Sequence, residues 1–276
     1  MKIIFDIGAN KGQNLKYFLQ KADLVIAIEA DTNLVNHIKS MFDSFVQSKK
    51  LIIENIAVVD HENTEFIDFY VSKINHTYST LCPENLNNYY KQKIKCEKVS
   101  TLINKYLQIY NMPEIDYIKI DVERYDKFIL QDLLQNNIIS NNLSVECFDS
   151  DIIELILNSP YNSFKFIEGG KKIKNIEIYN INNKKKIINF DYNSSGPYGD
   201  DILGNYYDKK SILPYFLING LGWKDIHCSI KKRKNLSKIV YDPIIHSQGF
   251  RYHLKRIYPS LIKSLKNRLY NRYFKK

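Results

Sequence analysis

Little in this chain of 276 residues would staple it together or anchor it in a bilayer. Its 4 cysteines, Cys82, Cys96, Cys147 and Cys228, are widely spaced and form no C-x-x-C. That argues against a disulfide framework or a zinc site and points to a reducing cytoplasm. No apolar run approaches the roughly 18–20 residues needed to cross a membrane. Asp6 interrupts the apolar stretch nearest the N-terminus, so a secretory signal is not expected. Alanine and glycine are scarce while Lys, Asn, Ile and Tyr abound, which reads as the codon bias of an AT-rich genome and not as a functional signal.

Acid is absent from the end of the chain. From Arg251 onward there are nine Lys or Arg and no Asp or Glu, so the net charge of +10 is a property of the tail. Without that tail 31 basic residues face 30 acidic ones, and a general nucleic-acid footprint across the body is not expected. The 44% hydrophobic content suits one large globular domain, or one domain with an appendage.

What is present is concentrated at the start. An apolar run, Ile3 to Phe5, ends in Asp6, and a glycine-bracketed turn, Gly8-Ala-Asn-Lys-Gly12, follows. Leu15, Phe18, Leu19 and Ala22 then fall at helical spacing. Strand, turn and helix in this order set backbone amides above a sheet edge, where nucleotide-like ligands bind in open α/β sheets. Glu29 closes the next apolar run, about 20 residues beyond the turn, and is placed to accept hydrogen bonds from a ribose diol. The full G-x-G-x-x-G spacing is missing, so no pyrophosphate cradle is expected, and a nucleoside without a diphosphate, such as S-adenosylmethionine, fits.

The alternation of apolar runs and helical patterns continues through residue 150, as in a parallel α/β sheet. Strands are predicted at residues 24–29, 51–60, 64–72, 117–122 and 143–148. A helix begins at Thr32, the predicted cap, and a second follows residue 122. Beyond residue 150, a helix is predicted at 152–157 and strands at 164–167, 176–181 and 187–192, the last two joined by a turn at 182–184. Residues 210–250 give no clear pattern. These readings divide the chain into 1–192, a ligand-binding domain; 193–250, an acceptor-side loop and C-terminal extension; and 251–276, a basic amphipathic tail.

Several segments together resemble the FkbM-type family of S-adenosylmethionine-dependent methyltransferases: Phe5-Asp-Ile-Gly-Ala-Asn-Lys-Gly12, Ala27-Ile-Glu-Ala-Asp31, Asn55-Ile-Ala-Val-Val-Asp60, Ser79-Thr-Leu81, Val99-Ser-Thr-Leu102 and Asp116-Tyr-Ile-Lys-Ile-Asp-Val-Glu123. The resemblance covers roughly residues 3–150, and Ile118-Lys-Ile-Asp-Val-Glu123 is its most specific part. It implies an α/β, Rossmann-like class I methyltransferase fold: a central, mostly parallel seven-stranded sheet with helices on both faces. A C-terminal extension with a β-hairpin and a basic helix would follow. It further implies Asp6, Gly8, Asn10 and Gly12 around the methionine part of the cofactor, Glu29 and Ala30 at the ribose, Asn55 and Ala57 near the adenine, and Asp121 beside them. The family usually has glycine after its Val-Glu pair; Arg124 stands there, so either the turn differs or Arg124 recognises an anionic acceptor.

Acceptor-side residues belong at the carboxyl ends of strands. Asp121 and Glu123 end one predicted strand and Glu146 lies in the next, so these carboxylates are candidates for the base, or for binding a divalent cation such as Mg²⁺. His76, near Ser79-Thr-Leu81, is a second candidate base. The loop Ser194-Ser-Gly-Pro-Tyr-Gly-Asp-Asp201 combines glycines, a ring and paired acids. Tyr198, Asp200 and Asp201 are expected to face a sugar acceptor. Asn158-Ser-Pro-Tyr161 only faintly resembles a nucleobase methyltransferase motif and follows the wrong strand.

In the tail, Leu261, Ile262, Leu265, Leu269 and Tyr273 share one helical face, leaving packing on the body, an anionic membrane surface or another acidic partner open. The expectation is a cytoplasmic or membrane-peripheral bacterial O-methyltransferase acting on a sugar hydroxyl of a surface polysaccharide. The rivals are a methyltransferase of natural-product hydroxyls and a non-catalytic module docking through its tail.

Overall fold

A computed structural model describes residues 1–62, 65–169, 175–179, 181–191 and 194–240. The basic tail, 251–276, and the readings made on it lie outside the described residues.

The chain opens with β1 (Lys2–Ile7), α1 (Leu15–Lys21), β2 (Leu24–Ile28), α2 (Thr32–Met41), α3 (Asp43–Gln47) and β3 (Leu51–Glu54). Next come β4 (Ala57–Val59), β5 (Phe66–Ser72), β6 (Tyr89–Lys98) and α4 (Val99–Ile109). β7 (Glu114–Ile120), α5 (Asp126–Gln135), β8 (Asn142–Glu146), α6 (Ser150–Asn158) and β9 (Ser163–Glu168) follow. The remainder is β10 (Asn175–Tyr179), β11 (Lys185–Asn189), α7 (Ile212–Asn219) and β12 (Lys224–Ser229).

Seven strands form one sheet in the order β3-β2-β1-β7-β8-β12-β9. All neighbours run parallel except β12, which is antiparallel to both β8 and β9. The expected seven-stranded, mostly parallel sheet is therefore present. Its central strands are buried on both faces; β2, Leu-Val-Ile-Ala-Ile, is apolar throughout, as suits a strand between two helical layers. Side chains of α4, α5, α6 and α7 cover one face and those of α1 and α2 the other. The chain leaves β1 toward β2 and later returns to β7 on its other side, so the order reverses between β1 and β7. A crevice opens at the carboxyl ends of strands at such a reversal.

Four expectations need correction. The strand predicted at 51–60 is broken at Asn55-Ile56. The Asn55 amide donates to the carbonyls of Glu29 and Ala30 at 3.1 and 3.0 Å, turning the chain so that β4 leaves the sheet and pairs with β6. The cap of α2 is Asp31, whose carboxylate accepts from the Asn33 amide at 2.8 Å, with Thr32 the first helical residue. The division at residue 192 does not follow the sheet, because β12 sits inside it between β8 and β9. Its sequence, Lys-Asp-Ile-His-Cys-Ser, is mostly polar and carries little strand signal.

The fourth concerns the loop at 194–201, which does not face an acceptor site. Tyr198 is 4% exposed and stacks on Tyr117 with 4.1 Å between centroids. Its hydroxyl donates to Asp116 at 2.5 Å, near the amino end of β7. Asp201 accepts from the Tyr17 hydroxyl at 2.6 Å and pairs with Lys21, while Asp200 pairs with Arg233. Asn14 anchors the other end: its side-chain oxygen accepts from the Ser194 hydroxyl and the Ser195 amide. The aromatic and the acids thus strap the loop along α1, with Tyr198 and Asp201 toward the amino ends of the strands and the Ser194–Ser195 end held at Asn14, which borders the cleft. Replacing Tyr198 with Ala is expected to cost about 3–5 kcal/mol of folding stability, read by urea denaturation.

Candidate active-site cleft

A cleft of about 440 Å³ lies over the carboxyl ends of β1, β2, β7 and β8. Its floor is the turn after β1. The amides of Gly8 and Ala9 both donate to the Ile28 carbonyl at 3.0 Å, which folds the chain back over β2. Gly8 has φ +81°, and a Cβ there would lie 1.8 Å from the Asp121 carbonyl oxygen. Only glycine permits both the left-handed conformation and this approach to β7. Gly12, at φ +76°, packs against Leu15 and Phe42 and supports the turn from below; it is not part of the cleft wall.

Glu29 follows β2 and faces the cleft. One of its carboxylate oxygens accepts from the Asn10 amide at 2.7 Å and the other from the Asp31 amide at 2.9 Å. Each oxygen keeps a free lone pair. Burial pushes this carboxyl up to about 7, against the pull of the two amides. A ribose diol would supply the donors that burial withholds. Ala30, Leu34, Ile56, Ala57 and Val58 extend the same wall with apolar surface suited to a base, and Asn10 borders it. Asn55 stands behind this wall, holding the backbone of Glu29 and Ala30 in place.

Beneath the turn is a group that sequence reasoning passed over. Lys119, 2% exposed, lies 3.4 Å from Asp6, 3.1 Å from Asp121 and 3.0 Å from the Gly8 carbonyl oxygen. Burial alone would lower its pKa, but the two carboxylates hold the ammonium well above its ordinary value. Asp6, fully buried, is raised by desolvation, partly offset by Lys119. The position expected to touch the methionine part of a cofactor thus lies under the floor. Its side chain points into the layer that contains Ile4 and Tyr117, because alternate residues of a strand share a face. A lysine inside the otherwise apolar Tyr-Ile-Lys-Ile was the available signal.

The far half of the cleft is acidic, lined by Asp121, Glu123, Glu146 and Asp225. Burial, then the nearby charges of Asp121 and Asp126, pushes Glu123 up to about 8. Asp126, buried and next to Asp121, is raised to about 7 while its carboxylate accepts from the amides of Val122 and Arg124. Glu123 and Arg124 both have positive φ, 47° and 77°. The turn favoured by glycine is therefore kept with an arginine in it, and the Arg124 side chain turns outward to pair with Glu84. Arg124 is absent from the cleft lining.

His76 does line the cleft, but the charged groups acting on it are Lys11 and Asp31, on the Glu29 side. Burial lowers its pKa, so the ring is neutral at pH 7, and its buried Nδ1 has no hydrogen-bond partner among the described residues. Among the described residues no three His, Cys, Asp or Glu side chains are arranged to hold a metal ion. The donor set does not fit the Mg²⁺ considered from the sequence, and the cation at Asp121 is the Lys119 ammonium. No described helix is long and apolar enough to cross a membrane, and all four cysteines are free.

A seven-stranded sheet with antiparallel β12, a glycine turn after β1 and an acid after β2 is the architecture of the class I methyltransferases. The chain belongs to the methyltransferase FkbM domain family, whose model matches residues 6–186. Among solved structures it is similar to methyltransferase FkbM from Methylobacillus flagellatus, with 12% identity, TM-score 0.41, and coverage of 61% of this chain and 41% of that one. An S-adenosylmethionine-dependent O-methyltransferase from Thermotoga maritima aligns with 8% identity and TM-score 0.38 over 84% of this chain and 61% of that one. A putative RNA methyltransferase from Pyrococcus horikoshii aligns with 13% identity and TM-score 0.32, covering 82% and 74%. Protein Ycf2 of Physcomitrium patens is 26% identical over 218 residues, 75% of this chain, which spans 9% of that protein's length. The family assignment rests on the family match.

Two outcomes follow from the charges. Lys119→Met leaves Asp6 buried without its counter-charge and should cost about 3–5 kcal/mol; adding Asp6→Asn should recover more than half, as measured in a denaturation cycle. Glu123 binds its proton more tightly folded than unfolded. Its favourable contribution is complete below pH 4.5 and is lost as pH rises through about 8. Glu123→Gln should therefore match the parent in stability near pH 5 and exceed it by about 2 kcal/mol at pH 9, read by denaturant titration at each pH.

Proposed function

We propose that this chain is an S-adenosylmethionine-dependent O-methyltransferase acting on a hydroxyl of a sugar or sugar-derived group, as in a bacterial surface polysaccharide. The observation that carries the reading is the pairing of Gly8 with Glu29. Backbone closes the floor where no side chain is tolerated, and a carboxylate fixed by two amides faces the nucleoside half of the cleft. Glu29 would hold the ribose diol, Ala57 and its apolar neighbours the adenine, and Gly8 and Asn10 the methionine portion.

The cofactor supplies a methyl group already activated on a sulfonium, so the protein needs only to align the acceptor oxygen and remove its proton. A C–O bond forms as the S–CH₃ bond breaks; the sulfonium becomes a thioether and the hydroxyl proton passes to a base. Glu123 is assigned that role. It lies at the carboxyl end of β7, and a carboxyl at about 8 is partly ionised near neutral pH and a stronger base than an ordinary one. Asp121, tied to Lys119, orders the floor beneath it. His76 belongs to the nucleoside side.

Titration calorimetry with S-adenosylhomocysteine tests the cofactor reading. The parent should bind at micromolar concentration, while Gly8→Val and Glu29→Ala should each weaken binding about tenfold or more. No binding by a folded parent would remove the enzymatic reading. Glu123→Gln should retain binding and lose methyl incorporation into isolated surface glycan by about a hundredfold or more.

A further inference from the structure

The combination of ring and acids sought in the loop at 194–201 exists elsewhere, at the acceptor end of the cleft. Glu146 ends β8, and its register partner across the antiparallel pair is Asp225 of β12. Both side chains line the cleft. Glu146 is only 7% exposed, yet it has no hydrogen bond or ion pair among the described residues. The charged neighbours that act on it most strongly are carboxylates: Asp121, Asp225, Asp126 and Glu123. Burial, and then these like charges, pushes it up to about 10, so a cation placed beside it would favour its charged form.

Two exposed rings border the same place. Trp223 immediately precedes β12 and lines the cleft at 39% exposure. A Cβ on Gly169 would fall 2.1 Å from the indole, so the absence of a side chain there lets the ring lie flat on the backbone as a platform. Phe148, two residues past β8, is 45% exposed and also lines the cleft. Aromatic faces and carboxylates share one preference, since both attract a positive charge.

We propose that Glu146, Asp225, Trp223 and Phe148 form an ammonium-binding acceptor subsite, so that the acceptor is an amino sugar carrying a free, protonated amine. This rests on the methyltransferase reading above and specifies its acceptor. The indole receives the apolar face of the sugar ring, and the carboxylates receive the ammonium. The consequence for the chemistry is direct. A protonated amine has no lone pair, so it cannot take the methyl group while it is held here, and a ring hydroxyl near Glu123 is left as the nucleophile.

Trp223 is the single tryptophan of the chain and reports on its own site. The full chain, first saturated with S-adenosylhomocysteine, is titrated with methyl glucosaminide, methyl glucoside and methyl N-acetylglucosaminide. Binding is followed by tryptophan fluorescence and confirmed by calorimetry. The free amine should bind about tenfold or more tightly than either neutral sugar, and Glu146→Gln should abolish the preference in protein that still binds S-adenosylhomocysteine. Equal binding of the three sugars, no binding of any, or a preference that survives Glu146→Gln would overturn the subsite. Failure of S-adenosylhomocysteine itself to bind would instead strike the methyltransferase reading on which the subsite rests.

Discussion

The arrangement of this molecule turns on a single buried cation. Lys119 reaches from the middle of the sheet to Asp6, Asp121 and the Gly8 carbonyl at once. It thereby ties the end of β1 to the end of β7 where the chain order reverses. An ion pair in that environment adds little net stability compared with well-packed hydrocarbon, but removing one partner leaves a bare buried charge. The consequence is geometric. With Lys119 in place, the glycine turn has one allowed position, and Glu29, anchored to the next amide of that turn, inherits it. The floor of the cleft is thus held electrostatically from beneath.

Above that floor the cleft divides by chemistry. Toward β2 it is apolar, with one carboxylate already satisfied by amides. Toward β8 and β12 it is acidic, and burial, reinforced by the neighbouring carboxylates, raises the Glu123 and Glu146 carboxyls to about 8 and about 10. A ligand with a nucleoside at one end and positive charge toward the other suits both halves. Trp223 and Phe148 line the cleft, the one just before β12 and the other just after β8. Under the proposed function, recognition of the acceptor and of the cofactor would fall to different strands, with Asp121 and Glu123 at the boundary.

The strands built on buried apolar runs were legible in the sequence, because periodicity and burial coincide there; β1, β2 and β8 fall within two residues of the prediction, and β7 begins at Glu114, ahead of the predicted 117–122. The glycine turn and Glu29 were legible for the same reason, since their spacing is set by the turn itself. β12 was not, because a mostly polar strand stabilised by neighbours on both sides shows no pattern of its own. With β12 went Asp225 and Trp223. The loop at 194–201 failed differently: Tyr198 and Asp201 have the residue types of a sugar site, and composition cannot tell a ring that stacks on a ligand from one that stacks on Tyr117. Arg124 adopts a glycine-like conformation that no propensity scale would assign to it.

The late strand that completes the sheet also sets a timetable. β8 and β9 lie on either side of β12, so the gap between them cannot close until residues 224–229 have been synthesised. The wall at Glu29 is encoded before residue 60 and the floor at Lys119 and Asp121 by residue 121, whereas Asp225 and the indole arrive about 100 residues later. During translation the nascent chain can shape the glycine turn and its floor before it has the wall supplied by β12. Under the proposed function, a truncated or stalled product would hold the nucleoside without an acceptor side, and completion of this strand would be the last step in assembling the cleft.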